Sequence, residues 1–372
     1  MSVLGQTVNT IQLKSFLQHI FKRNNALNQN EQRGTPVLIW GNHGLGKTFS
    51  VVEFAKKNNW KLAYCAPAQF EEMGDLHGMP TVVDPDKNVA GDEYTVYSPP
   101  EWVPKEEGPG ILLLDDINRA DDRILRGIMQ LLQNFEMQSW KLPPKWQIVA
   151  TANPDDGDYS VTPMDDAMLT RMLHVTLTFD AKAWAAWAQN AGVDKRGINF
   201  ILTYPEVVTG KRTTPRSLVQ FFDQIQEFDN LQEHLDLVIA LAKSALDDTT
   251  VTSFISFINN DLSVLLNPQD ILNSNNFADI KKQMESIAVG KNGEKRIDRI
   301  STICTRLYLH LKNDTYKPEK NHKENLVEFM LLDSIPNDLK MSLFMDLNKE
   351  GDEHVKQMLK DKKLAKLLLG SL

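Results

Sequence analysis

The sequence predicts an α/β fold in which helices sandwich a parallel sheet, followed by a region that is helical throughout. Three observations predict it. The apolar runs Val37–Trp40, Ile111–Leu114 and Trp146–Ala152 are nearly continuous, as strands buried on both faces require. Helical stretches separate these runs, which suits crossover connections between parallel strands. After Phe179 the strand pattern stops, and apolar residues recur at helical spacing to the end of the chain.

Taken in order, Ile11, Leu13, Phe16, Leu17, Ile20 and Phe21 predict a lead-in helix. Val37–Trp40 ends at Gly41, and the chain then reads G-x-x-x-x-G-K-T through Asn42, His43, Gly44, Leu45, Gly46, Lys47 and Thr48. Phe49, Val51, Val52, Phe54 and Ala55 continue as a short amphipathic helix. Strand, glycine loop and helix together make a phosphate-binding loop. Its glycines let backbone N–H groups face an anion, and the helix N-terminus adds a positive dipole end. Lys47 would reach the β and γ phosphates, and the Thr48 hydroxyl would ligate Mg2+.

Lys61–Cys65 predicts a second strand, and Gln69–Pro104 reads as an irregular functional insert with a hairpin near Glu93–Tyr97. Ile111–Leu114 runs into Asp115 and Asp116, placing paired carboxylates at the strand edge where ligands of such sheets sit. One carboxylate would hold Mg2+ and the next would orient the attacking water. Ile124, Leu125, Ile128, Leu131, Leu132 and Phe135 form the apolar face of the following helix. Trp146–Ala152 delivers Asn153, either a turn residue before Pro154 or an amide that hydrogen-bonds the lytic water or the γ-phosphate. Asp155, Asp156, Gly157 and Asp158 form a loop, Pro163 opens a short helix carrying Arg171, and His174–Leu177 is the last strand. Arg171 either complements a helix dipole or acts catalytically.

In the helical remainder, Trp184, Trp187, Ala188 and Ala191 fall on one face as core. Thr214-Pro215-Arg216 sets an N-cap, a proline at the first helical position and an arginine that opposes the dipole. Polar breaks fall near Asn267–Asn276 and Asn313–Lys323, and Lys356–Lys366 reads as a solvated amphipathic helix.

The 372 residues, 42% hydrophobic and 24% charged, suit a globular protein of two or three domains. A formal charge of −8 argues against a nucleic-acid footprint. Cys65 and Cys304 have no ligand or redox spacing, and neither a signal pattern nor a membrane-length apolar run stands out, so a cytoplasmic protein is expected.

The segments GNHGLGKT, ILLLDDINRA, ATANP, DAMLTRM and TTPRSL resemble, in order, the Walker A, Walker B, sensor 1, arginine-finger and sensor 2 signatures of AAA+ ATPases, a P-loop NTPase fold. LLLDDINRA, GDLHGMP, YSPPEWVP and the Trp184/Trp187 helix are similar to the MoxR-like, dynein-related branch that includes CbbQ and NorQ. The resemblance spans roughly residues 13–228. It implies an ATP- and Mg2+-dependent remodelling ATPase with Gly41–Thr48 on the phosphates and Thr48 and Asp115 on the metal. Asp116 would polarise water, Asn153 would position it, Arg171 would enter the neighbouring subunit's site, and Arg216 would contact phosphate from a lid. It further implies a homo-oligomer, a hexameric ring, and a von Willebrand factor A-type protein partner or another protein client. The corresponding domains are 1–178 for the core, 179–270 for the helical lid and 271–372 for a helical extension. Asp116 departs from the family's usual Glu by one methylene, which matters because water placement is sensitive to about 1 Å. A nucleic-acid motor or loader and a slow ATP-gated scaffold are the competing classes. The guanine-reading N-K-x-D is missed at Asn348-Lys349-Glu350-Gly351, favouring ATP over GTP.

Overall fold

The computed structural model describes residues 5–30, 32–85, 92–155, 161–209, 212–259, 265–290, 293–312 and 316–364. Asp156, Gly157 and Asp158, and Ala365, Lys366, Leu367 and Leu368, lie outside the described residues. Two compact units divide the chain, Met1–Phe179 and Asp180–Leu372.

Among the described residues, ten strands lie in the first unit: β1 (Gln6–Val8), β2 (Val37–Trp40), β3 (Lys61–Cys65), β4 (Met79–Val83), β5 (Tyr94–Ser98), β6 (Gly110–Leu114), β7 (Glu136–Met137), β8 (Trp140–Lys141), β9 (Trp146–Ala152) and β10 (Leu173–Leu177). Six of them form one sheet in the order β1-β10-β2-β9-β6-β3. Every neighbouring pair in that sheet is parallel. Successive side chains of each strand go to opposite faces. Leu38, Leu112, Leu114, Ile148 and Ala150 therefore pack on one face with helix Asp122–Asn134. Val37, Ile39, Ile111, Leu113 and Val149 pack on the other with helices Thr10–Asn28 and Lys47–Lys57. Both faces are covered, as an all-parallel sheet requires. The result is the expected parallel sheet sandwiched by helices.

The lead-in helix buries Leu13, Leu17, Phe21 and Asn24, and Ile11 is turned outward. An Asn9–Gln12 capping box starts that helix. The hairpin in the insert is antiparallel, β4 with β5. Trp102 donates to the Asp75 carbonyl and Trp140 to the His77 carbonyl, which ties the GDLHG and PPEW segments to the β7–β8 hairpin. The short helix before β10 begins at Asp166, with Asp165 as its N-cap, rather than at Pro163. Asp165 wins because its carboxylate accepts the Met168 N–H, a cap that proline, with no side-chain acceptor, does not offer. Arg171 consequently lies in the turn after that helix, not on it.

The second unit is helical, with Phe200, Phe221, Phe222, Phe254 and Phe257 fully buried at its centre. Trp184 and Ala188 are core, but Ala191 is the exposed C-cap of its helix. Thr214 caps helix Pro215–Ile225 through a capping box with Ser217. The break near Asn267 contains a short helix, Pro268–Leu272. Helix Glu353–Met358 stops short, so the stretch from Lys356 to Leu364 is not one amphipathic helix; Leu359 and Leu364 are buried.

Candidate nucleotide site

Strands β2, β9 and β6 are neighbours in that order, so their C-terminal ends place Gly41, Asn153 and Asp115 side by side. Gly41 has φ 153°, and a Cβ there would sit 2.9 Å from the Leu177 carbonyl oxygen, so the loop leaves β2 only if this residue has no side chain. Gly46 has φ 90° and forms the N-cap of helix Lys47–Lys57. Leu45 tucks against the sheet, and Asn42 is exposed. His43 and Gly44 make the turn between them.

Lys47 is buried at 6% exposure. Its ammonium donates to the Gly41 carbonyl at 2.7 Å, the Asn42 carbonyl at 3.2 Å and Asn153 Oδ1 at 2.9 Å. A buried lysine needs such partners, because an unpaired charge in the interior is costly. The Thr48 hydroxyl donates to Asp115 Oδ1 at 2.6 Å. Asn153 Nδ2 donates to Asp116 Oδ1 at 3.0 Å. Lys47, Thr48, Asp115, Asp116 and Asn153 thus form one connected network drawn from three elements.

Four residues that carry this network were not singled out for it by sequence. Thr151 bonds both acids, donating to Asp115 Oδ1 at 2.7 Å and accepting the Asp116 N–H at 2.8 Å. Tyr64 donates its hydroxyl to Asp115 Oδ2 at 3.1 Å. Partial burial, with Asp115 adding to it, pushes the Tyr64 phenol up to about 12. The buried Asn118 amide donates to the Asn153 carbonyl at 2.7 Å and accepts the Asn153 N–H at 3.1 Å. Arg119 lies 3.6 Å from Asp116. The one visible signal was polarity at the ends of apolar strands, in KLAYC, DDINRA and ATANP.

Thr48 and Asp115 supply hard oxygen donors close together. Among the described residues no group of three or more His, Cys, Asp or Glu side chains stands ready to hold a metal. That pairing fits Mg2+, which takes one or two protein oxygens and completes its shell from phosphates and water.

Arg171 is not brought to this network. It lies two residues before the start of β10, where Leu173 stands opposite Val37, the first residue of β2. The phosphate loop leaves the other end of β2, a four-residue strand and so about 13 Å away. Arg171 Nε donates to Gln133 Oε1 at 3.1 Å, and its Nη1 donates to the Ala167 carbonyl. That last bond is the dipole-complementing contact of a cation at a helix C-terminus. Arg216 is in the second unit, exposed in the first turn of helix Pro215–Ile225.

Residues 36–172 match the family described as AAA domain (dynein-related subfamily). No curated protein matches the chain. Among solved structures, the Holliday junction branch migration motor RuvB of Thermotoga maritima is similar at 16% identity and a TM-score of 0.38, covering 74% of this chain and 78% of that one. NtrX from Brucella abortus in complex with ADP is similar at 13% identity and a TM-score of 0.36, over 58% and 50% of the two chains. Residues 36–172 thus match an AAA domain, and that match supports ATP hydrolysis. Among the described residues no helix is long and apolar enough to cross a membrane.

Proposed function

We propose that this protein is a Mg2+-dependent remodelling ATPase of the MoxR-like type that hydrolyses ATP at the interfaces of a homo-oligomeric ring, with six subunits by resemblance. The observation that carries it is the placement of Arg171. It stands at the N-terminal edge of the sheet, while Lys47, Thr48, Asp115, Asp116 and Asn153 converge at the C-terminal edge. An arginine so placed serves a site on another copy of the chain rather than its own.

In this scheme the Gly41–Thr48 amides cradle the phosphates, and Lys47 exchanges its carbonyl partners for β and γ phosphate oxygens. Thr48 and Asp115 would hold Mg2+, which when bound neutralises charge on those oxygens. Asp116 accepts a proton from the attacking water, and Asn153, fixed by Asn118, orients that water. The neighbour's Arg171 meets the charge that develops at the γ-phosphate, a contribution worth about 10³–10⁵ in rate in GTPases. Arg216 would contact phosphate from residues 179–270 acting as a lid, and residues 271–372 form a helical extension. The client is proposed to be a von Willebrand factor A-type protein, and nucleic acid is disfavoured by the charge of −8.

A slow ATP-gated scaffold is the second proposal, favoured by Asp116. Its carboxylate is a methylene shorter than the usual Glu and already engages Asn153 and, more distantly, Arg119. Steady-state turnover of Asp116→Glu separates the two: a large gain marks the slow switch, and little change marks an ordinary ATPase. Ring assembly is tested by sedimentation with and without Mg-ATP; a chain that stays monomeric yet cleaves ATP briskly would refute the interfacial site.

A further inference from the structure

We infer that Thr151 is a positioning residue that couples the two acids of the nucleotide site, so that metal affinity through Asp115 and turnover through Asp116 depend on one hydroxyl. This rests on the ATPase scheme above. Thr151 is fully buried in β9, two residues before Asn153. Its neighbour Ala150 stands opposite Leu114, so the step from Ala150 to Thr151 matches the step from Leu114 to Asp115 on the adjoining strand end.

A hydroxyl carries one proton and two lone pairs. Thr151 commits the proton to Asp115 Oδ1 at 2.7 Å and a lone pair to the Asp116 N–H at 2.8 Å. Asp116 has φ 48° and ψ 47°, a left-handed conformation that residues with a Cβ adopt at a cost. The bond to its N–H helps hold that conformation and keeps the carboxylate beside Asn153.

Asp115 has two other hydroxyl donors, Thr48 at 2.6 Å and Tyr64 at 3.1 Å. In the proposed scheme Thr48 must turn its oxygen to the metal, and Tyr64 is 51% exposed. Of the three donors, Thr151 alone is fully buried and alone also bonds Asp116. It therefore keeps Asp115 aimed when the Thr48 proton is redirected. A β-branched residue in a buried strand has a simpler use, which is packing through its methyl group.

Two variants separate these roles. Thr151→Val keeps the shape and removes the hydroxyl; Thr151→Ser keeps the hydroxyl and removes the methyl. The readouts are Mn2+ binding to the nucleotide-loaded protein by electron paramagnetic resonance, fluorescent ATP analogue affinity in EDTA, and kcat and KM. Thr151→Val is expected to leave metal-free nucleotide affinity within about twofold and to weaken Mn2+ binding and kcat each by about tenfold to a hundredfold, the range for a hydrogen bond to a charged group. Thr151→Ser is expected to recover both to within about threefold of the unaltered protein, since it keeps that bond. If Thr151→Val matches the unaltered protein, or if Thr151→Ser is as impaired as Thr151→Val, the coupling is refuted. Failure of the ATPase scheme itself would show differently, as an unaltered protein that neither binds the analogue nor turns over ATP.

Discussion

Lys47 and Asn153 share a hydrogen bond of 2.9 Å across the ends of two adjacent strands. The same Asn153 amide reaches Asp116 at 3.0 Å. One side chain therefore spans Lys47 and Asp116, the residues proposed to bind phosphate and to activate water.

Lys47→Ala should abolish tight ATP binding, because it removes the charge that pairs with the terminal phosphates. Charge-assisted bonds are the strong ones, so a loss of at least about tenfold in affinity is expected. Titration with a fluorescent ATP analogue checks it. Retained affinity would place the phosphates elsewhere.

Asp116→Asn should bind ATP with near-normal affinity and lose turnover by roughly 10²–10⁴, the usual contribution of a general base. The amide keeps the size of the carboxylate but cannot take the proton. Binding and steady-state hydrolysis measured on one preparation test this, and the trapped form should retain a client in a pull-down.

Asn118→Ala should lower both stability and kcat. It leaves the Asn153 N–H and carbonyl, both paired with Asn118 in a buried setting, without their partner. An unsatisfied buried group costs about 1–3 kcal/mol. Denaturant unfolding followed by KM and kcat should show the stability loss together with a fall in kcat at little-changed KM. A variant as stable and as fast as the parent would contradict the clamp.

Which parts of this site were legible in sequence follows from sheet geometry. β2, β6 and β9 could be read because strands buried on both faces are runs of apolar residues, and each run ends at a residue of the candidate site. β1 escaped notice: Gln6–Val8 is three residues, two of them exposed. Thr151, Tyr64 and Asn118 were unreadable for a different reason. Their partners lie 35 to 51 residues away in sequence, and only the order and register of β3, β6 and β9 bring them together. Asp165 outcompeted Pro163 as the start of its helix through a side-chain cap, a local competition that both residues signal equally well in sequence.

Burial pushes the Cys65 thiol up to about 12 from an ordinary value near 9.0. The folded state then holds its proton more tightly than the unfolded state. That contribution to stability is whole below pH 9.0 and is lost as pH rises toward 12. Cys65→Ala should flatten this alkaline decline in a series of denaturant melts from pH 8 to pH 11. Iodoacetamide at pH 8 should label Cys65 slowly in the folded protein and readily once it is unfolded. Fast labelling of the folded chain would contradict the burial.

The most direct test of the shared site mixes two inactive variants. Lys47→Ala supplies Arg171 but no working phosphate loop, and Arg171→Ala supplies the loop but no guanidinium. Each alone should hydrolyse ATP at a small fraction of the normal rate, with Arg171→Ala still binding ATP. Combined, they should regain turnover well above the sum of the two, because some interfaces pair an intact loop with an intact arginine. A mixture that only sums its parts, or an Arg171→Ala protein that turns over normally alone, would contradict hydrolysis between subunits.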